Sequence, residues 1–128
     1  RSKLRGRYRH LPASLSYRRL RGDDRLSLVE VKPEGGRTHQ IRALMARSGR
    51  PLAGDLRYGK PKPAQQFRER FGAGYFLLHA WRLGLPAAVT GRSLLLEAPL
   101  PAVFHSIIEQ KGWDALEQGP GGEWAALD

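Results

Sequence analysis

The sequence predicts an α+β fold, in which a mixed, largely antiparallel β-sheet is combined with a few short helices. Residues 15–20 have a strand-like sequence, and residues 26–32, on the other side of a turn at Asp23-Asp24, alternate between apolar and polar side chains, so two antiparallel strands are predicted. Apolar residues recur at helical spacing over residues 39–48 and again after Pro101. With 128 residues, the chain is long enough for one modest core.

The first helix is expected over about residues 39–48, directly after the second strand. Gly35-Gly36 allow a tight turn with positive φ, and Thr38 is a candidate N-cap. Gly49 followed by Pro51 is typical of a helix end. The strand pair is therefore expected to lead through a glycine turn into this helix.

One face of this helix is apolar, since Ile41, Leu44 and Met45 fall together at 3.6 residues per turn. Arg42 lies at the edge of the stripe, where its stem is expected to be partly buried. A half-buried guanidinium usually needs a carboxylate or phosphate partner. The alternative is that Arg42 extends its charged end to water along the helix surface.

The second half of the chain predicts shorter elements. A loop over residues 50–63 leads into a helix that opens at Pro63 and ends at Gly72. Tyr75–Leu85 is expected to form a buried strand, with His79 as a hydrogen-bonded core residue. The remaining expectations are a strand at 93–98, an amphipathic helix from Pro101 to Gly112 and a loose tail at 119–122 that Trp113 and Trp124 dock.

The charge is strongly positive and unevenly distributed. The net charge is +10, and residues 1–62 hold 17 of the 22 Lys and Arg residues but 5 of the 12 Asp and Glu residues. This distribution points to a nucleic-acid-facing surface, with a solubilising role as the alternative. A basic row at residues 1–9 is interpreted either as a phosphate-tracking arm or as a linker. With no cysteine, disulfides and Cys-based metal sites are excluded.

Four blocks resemble those of the RluA-type pseudouridine synthases, in the same order. Residues 36–42, Gly-Arg-Thr-His-Gln-Ile-Arg, are similar to the GRTHQIR signature. Residues 49–59 resemble the next block, with Arg50 where His is usual. Residues 77–86 resemble the LLHA block, and 98–101, Ala-Pro-Leu-Pro, the closing APLP. The resemblance covers roughly residues 13 to 104.

The family's nucleophilic aspartate, carried in an HRLDxxTSG block, has no counterpart among the five aspartates of this chain. The resemblance therefore implies that residues 1–112 are the C-terminal portion of a synthase catalytic domain and that residues 113–128 are a loosely ordered tail. The expected partner is the N-terminal half of the same domain. This chain alone is predicted to be inactive.

What the resemblance implies is isomerisation of a uridine in rRNA or tRNA to pseudouridine, without a cofactor or metal. Arg42 would pair with the catalytic aspartate and favour its ionised, nucleophilic form. Ile41 and Leu44 would form the apolar wall of the uracil pocket. The candidate RNA contacts are Arg37, His39, Arg57, Lys60 and Lys62, whereas Asp55 is expected to stabilise its loop.

Two other functions compete with catalysis. In the first, the chain is a non-catalytic basic RNA-binding module. In the second, it is a ribosome-associated structural protein. No apolar run approaches the length that spans a membrane, and no secretory signal pattern opens the chain. A cytoplasmic location is expected.

Overall fold

The computed structural model describes residues 14–35, 39–85, 87, 91–116 and 121–128. The predictions for the basic row at residues 1–9, for Arg37 and for Thr38 lie outside the described residues. The chain divides into two compact units. The first contains the described residues of Arg1–Pro51 and Asp114–Asp128, and the second is Leu52–Trp113.

The first unit is built on an antiparallel hairpin of β1 (Ser14–Gly22) and β2 (Ser27–Glu34). Asp23 closes the turn between them. Its backbone N–H donates to the carbonyl of Leu26 over 2.9 Å, and its Oδ1 accepts the backbone N–H groups of Arg25 and Leu26 over 2.9 and 2.8 Å. This is the turn chemistry for which Asp is favoured. The predicted strand pair is confirmed.

A third strand joins the other edge of β1. The last strand of the chain, β5 (Ala125–Leu127), pairs antiparallel with residues 15–17, so that the strand order is β2-β1-β5. Residues in the predicted tail thus form part of the sheet. The boundary drawn at residue 112 stays a prediction.

Helix α1 (Gln40–Arg47) follows the hairpin, close to the predicted range. Its N-cap is His39 in a left-handed conformation, with φ 55°, and the helix start has no side-chain capping hydrogen bond among the described residues. The helix ends at Ser48, and Gly49 takes φ 89°, as predicted. Leu44 and Met45 on α1 form the core of this unit with Leu15 of β1.

The second unit begins with a loop and α2 (Pro61–Phe71), which starts two residues before the predicted Pro63. Pro is well suited to the first helical position because it lacks the N–H that would otherwise be left unpaired. Gly72 ends the helix with φ 69°. The rings of Phe67 and Phe71, one turn apart, lie 4.8 Å from each other.

The prediction of a buried strand at Tyr75–Leu85 was wrong. Only its end forms a strand, β3 (Arg82–Leu85), and the side chains of Tyr75 and Leu83 are 62% and 56% exposed. The backbone N–H of Leu77 bonds to the carbonyl of Ala53 in a loop, not to a strand ladder. Apolar composition predicted burial, but burial also requires a second layer, and the described part of this unit supplies none over these side chains.

Strand β4 (Leu94–Glu97) pairs antiparallel with β3 and confirms the strand predicted at 93–98. His79 is hydrogen-bonded as predicted, with Nε2 lying 3.1 Å from the carbonyl oxygen of Ala98, although it is half-buried rather than in the core.

The last helix, α3 (Ala102–Lys111), ends at Gly112 with φ 69°, as predicted, and contacts α2. Ala64 of α2 and Ile107 of α3 are buried and form the core of this unit. The elements of both units confirm the α+β class, with antiparallel sheets and short helices. No helix in the described ranges is both long and apolar enough to cross a membrane.

Candidate functional site

The start of α1 is fastened to the open end of the β1–β2 hairpin by Gln40. Its side-chain Nε2 donates to the carbonyl oxygen of Ser14 over 2.7 Å and to that of Glu34 over 3.0 Å. Ser14 and Glu34 are paired residues at the ends of the two strands. One buried amide therefore links the helix to both strands, directly after the left-handed His39.

Sequence reasoning missed Gln40. It lies four residues before Leu44, so helical spacing places it on the buried side of α1. A polar side chain on an apolar stripe must find hydrogen-bond partners when it is buried. The position of Gln40 on the apolar side of the helix can be read from the sequence. Its partners, the carbonyl oxygens of Ser14 and Glu34, are far from it or on another element and depend on the fold.

Arg42 lies two residues further along α1 and is buried more deeply than its predicted place at the edge of the stripe, with 9% of its surface exposed. No buried side-chain nitrogen or oxygen among the described residues lacks a hydrogen-bond partner. A guanidinium carries five N–H donors in a planar fork. Arg42 is thus a fixed, buried cation that could add a carboxylate to the contacts it already has.

The two predicted pocket residues occupy different surroundings. Leu44 is 2% exposed and belongs to the core, whereas Ile41 is half-buried. Ile41 has exposed surface that a bound base could contact, whereas Leu44 packs in the core of the unit. Their pocket role stays a prediction.

The loop before α2 is shaped by Asp55, which is completely buried. Its Oδ1 accepts the backbone N–H groups of Arg57 and Tyr58, each over 3.1 Å. Arg68 on α2 holds the same loop, because its Nε donates to the carbonyl of Gly54 over 2.8 Å. The geometry agrees with a loop-stabilising role for Asp55.

Three of the predicted RNA contacts are exposed cations on this loop and the start of α2. Arg57, Lys60 and Lys62 all have exposed side chains. The guanidinium of Arg57 lies 5.4 Å from the ring centroid of Tyr58. His39 is half-buried in the first unit. Arg57, Lys60 and Lys62 lie close together in sequence, and their role in binding stays a prediction.

Within the described ranges, no three His, Asp or Glu side chains are grouped so that they could hold a metal ion. The described residues do offer cations: one buried arginine on α1, and exposed cations in the loop before α2 and at the start of α2. Both kinds suit a negatively charged ligand, a carboxylate for the first and phosphates for the second.

The chain is similar to curated proteins named as pseudouridine synthases. It is 35% identical over 92 residues to tRNA pseudouridine synthase C of Salmonella typhi, covering 72% of the chain and 35% of that protein. The enzyme of the same name from Yersinia pestis is 37% identical over 92 residues, which cover 72% of the chain and 36% of that protein. Ribosomal large subunit pseudouridine synthase D of Nitrosomonas europaea is 40% identical over 99 residues, covering 77% of the chain and 29% of that protein.

No protein-family model matches the chain, and no solved structure matches it. The chain spans about a third of the length of the curated relatives it matches. Two differently named groups of synthases thus match the same chain at similar identity. The chain belongs to the RluA-type pseudouridine synthase family.

Proposed function

We propose that this chain is the arginine-bearing part of an enzyme that isomerises uridine to pseudouridine in RNA. The observation that carries the proposal is the buried Arg42 on a helix whose start is fixed by Gln40. A buried arginine at a fixed position is suited to hold a carboxylate in place, because the guanidinium fork binds both carboxylate oxygens at once.

The nucleophilic aspartate is placed outside this sequence, in the N-terminal half of the domain. It attacks the ribose carbon of the glycosidic bond and displaces the uracil, which then turns. A ring carbon of the uracil bonds to the same ribose carbon and displaces the aspartate; that ring carbon gives up its proton, and the freed ring nitrogen takes one up. Arg42 orients the aspartate and keeps it ionised, while Ile41 contacts the uracil face. The target base must leave its stack first, at a cost of a few kcal/mol.

The proposed substrate is tRNA or rRNA. The relatives are named for both, since one group is called tRNA pseudouridine synthase and another ribosomal large subunit pseudouridine synthase. Arg57, Lys60 and Lys62 are proposed to contact RNA phosphates, because they are exposed and close in sequence. The proposed location is the cytoplasm, where tRNA and ribosomes function.

The test uses the chain produced together with the N-terminal half of its domain. Replacement of Arg42 by Ala is expected to lower the rate of uridine conversion by about a hundredfold or more, because the aspartate loses its fixed, charged partner. Arg47→Ala is the matched control, since Arg47 lies on the same helix with an exposed side chain. Full conversion by the Arg42 variant would exclude the role given to Arg42.

A binding module without chemistry is the second candidate. The role of two aspartates favours this candidate. The side chains of Asp23 and Asp55 both accept backbone hydrogen bonds and thereby stabilise turns. If the chain and the N-terminal half together bind tRNA or rRNA but convert no uridine, the binding module is correct and the enzyme is not.

A further inference from the structure

The C-terminal segment, of which residues 114–116 and 121–128 are described, lies beyond the blocks that resemble the family and is hydrogen-bonded to β1. Beside the pairing of β5 with β1, the backbone N–H of Gly122 donates to the carbonyl of Arg19 over 2.6 Å. A Cβ on Gly121 would lie 2.6 Å from a methyl group of Leu20 and 3.1 Å from the carbonyl oxygen of Arg19. Glycine is therefore required for the backbone to approach this strand.

The same strand also holds the beginning of the segment. Arg21 donates from Nε to the carbonyl of Asp114 over 2.9 Å and from Nη2 to that of Ala115 over 2.6 Å. The segment is thus bound to β1 near both of its ends, and the residue just before β5 is held in place over the sheet.

That residue is Trp124, and it lies against two cations. The Nζ of Lys32 is 4.1 Å from the indole centroid, and the Cζ of Arg18 is 4.8 Å from it. Residue 16 pairs with Lys32 and Arg18 with Glu30, so both cations project from one side of the sheet, opposite to the buried Leu15. The indole is nevertheless 36% exposed.

An exposed tryptophan with cations at its ring combines the two elements that bind single-stranded nucleic acids. In such sites an aromatic plane stacks on a base and nearby cations contact the phosphates. Here both cations lie over the indole ring, so a base would stack on the part of the ring that they leave exposed. Arg18 is already paired with Glu30 at 2.9 Å, so Lys32 is the cation better placed to bind a phosphate. An acidic polypeptide would gain little from the aromatic plane, and bases inside a duplex would not reach it.

We propose that Trp124, with Lys32 and Arg18 against its ring, is a stacking site for an unpaired base of an RNA strand. The site lies on β1, β2 and the C-terminal segment, and it contains none of the residues proposed for catalysis. It rests on the proposed function only in taking RNA as the ligand. Its role is to hold an RNA strand on the face of the sheet opposite to Leu15.

The experiment measures fluorescence of Trp124 in the full chain after Trp81→Phe and Trp113→Phe, which leave it as the single tryptophan. Titration with a short oligouridylate is expected to quench this fluorescence, whereas an abasic ribose-phosphate oligomer of equal length is expected to quench it much less. Equal quenching by both oligomers, or by polyglutamate, would show that no base stacks there and would overturn the proposal.

Affinity measurements on the otherwise unchanged chain provide a second test. Trp124→Leu keeps an apolar cover and is expected to weaken oligouridylate binding about tenfold, since stacking contributes roughly 1–3 kcal/mol per base, while abasic binding stays unchanged. Trp124→Phe should recover most of the loss. Trp81→Leu is the matched control, because Arg82 lies 3.8 Å from the Trp81 ring. Equal losses from both Leu variants would overturn the proposal.

The two readouts remain decisive in every case. If Trp124→Leu does not fold, the quenching experiment, which keeps Trp124, decides the outcome. If Trp124 is quenched by oligouridylate but the chain with its N-terminal half converts no uridine, the proposed function fails and the stacking site stands. If uridine is converted and Trp124 is not quenched, the stacking site fails alone.

Discussion

Among the residues that the structure describes, three polar side chains are buried, and each of them bonds to backbone or carries a charge. Gln40 joins α1 to both strands of the hairpin, and Asp55 closes the loop before α2. Arg42 is a buried cation on the same helix as the buried Leu44 and Met45. Burying a polar group is unfavourable unless it is hydrogen-bonded. These residues are therefore the ones whose loss should disturb geometry most.

The Gln40 clamp can be tested by replacing Gln40 with Met, which has a similar length but no N–H donor. Two hydrogen bonds are lost, so the free energy of unfolding is expected to fall by about 1–2 kcal/mol. Thermal or urea unfolding of the chain measures this change.

Gln66→Met is the control for the same chemical change, because Gln66 is exposed on α2. We expect its free energy of unfolding to match that of the unchanged chain. If Gln40→Met were as stable as Gln66→Met, the amide would not be what fastens α1 to the strand ends.

At the scale of secondary-structure elements, the hairpin and helices that were predicted correctly have residues at their turns and ends that mark these boundaries in the sequence. The first hairpin has Asp23 in its turn, and α1, α2 and α3 end at or next to Gly49, Gly72 and Gly112, each with positive φ. Such signals act within a few residues, so neighbouring units are not needed to interpret them.

The elements predicted wrongly depend on distant contacts. Tyr75–Leu85 has the composition of a buried strand, yet its first half bonds to a loop around Ala53. The short β5 has no strong pattern of its own and forms because the edge of β1 is available. In the candidate site, helical spacing predicted the partial burial of Arg42, and the resemblance implied its role. The part played by Gln40 depends on the positions of Ser14 and Glu34.

The glycine that ends α2 gives a prediction for a whole element. Gly72 has φ 69° and no atom within 4 Å of the position of an added Cβ. Ala at this position meets no steric clash, so only the left-handed backbone is penalised, by roughly 1 kcal/mol. We expect Gly72→Ala to lower the free energy of unfolding by that amount in urea unfolding.

Gly74→Ala is the matched control two residues away, because Gly74 also has open space around it and does not have a positive φ. Its stability is expected to equal that of the unchanged chain or to exceed it slightly, since Ala reduces the freedom of the unfolded state. Equal destabilisation by both variants would mean that the loop after α2, rather than the helix end, is sensitive to substitution.

At the scale of the whole molecule, the dominant property is positive charge, with a net charge of +10. A general excess of charge attracts any polyanion, whereas specific contacts release counterions at particular phosphates. The two effects are separated by comparing variants that have the same net charge but lose it at different positions.

Lys60→Ala with Lys62→Ala removes two of the cations proposed to contact RNA, and Arg25→Ala with Arg47→Ala removes two other exposed cations. Binding of single-stranded RNA is measured for both double variants over a range of salt concentrations. If Lys60 and Lys62 contact phosphates, the slope of log K against log salt becomes shallower by about 1.4, at 0.7 per phosphate, in the first variant only. Because both variants have the same net charge, an equal change in slope would mean that RNA binding depends on the net charge of the molecule and not on contacts made by Lys60 and Lys62.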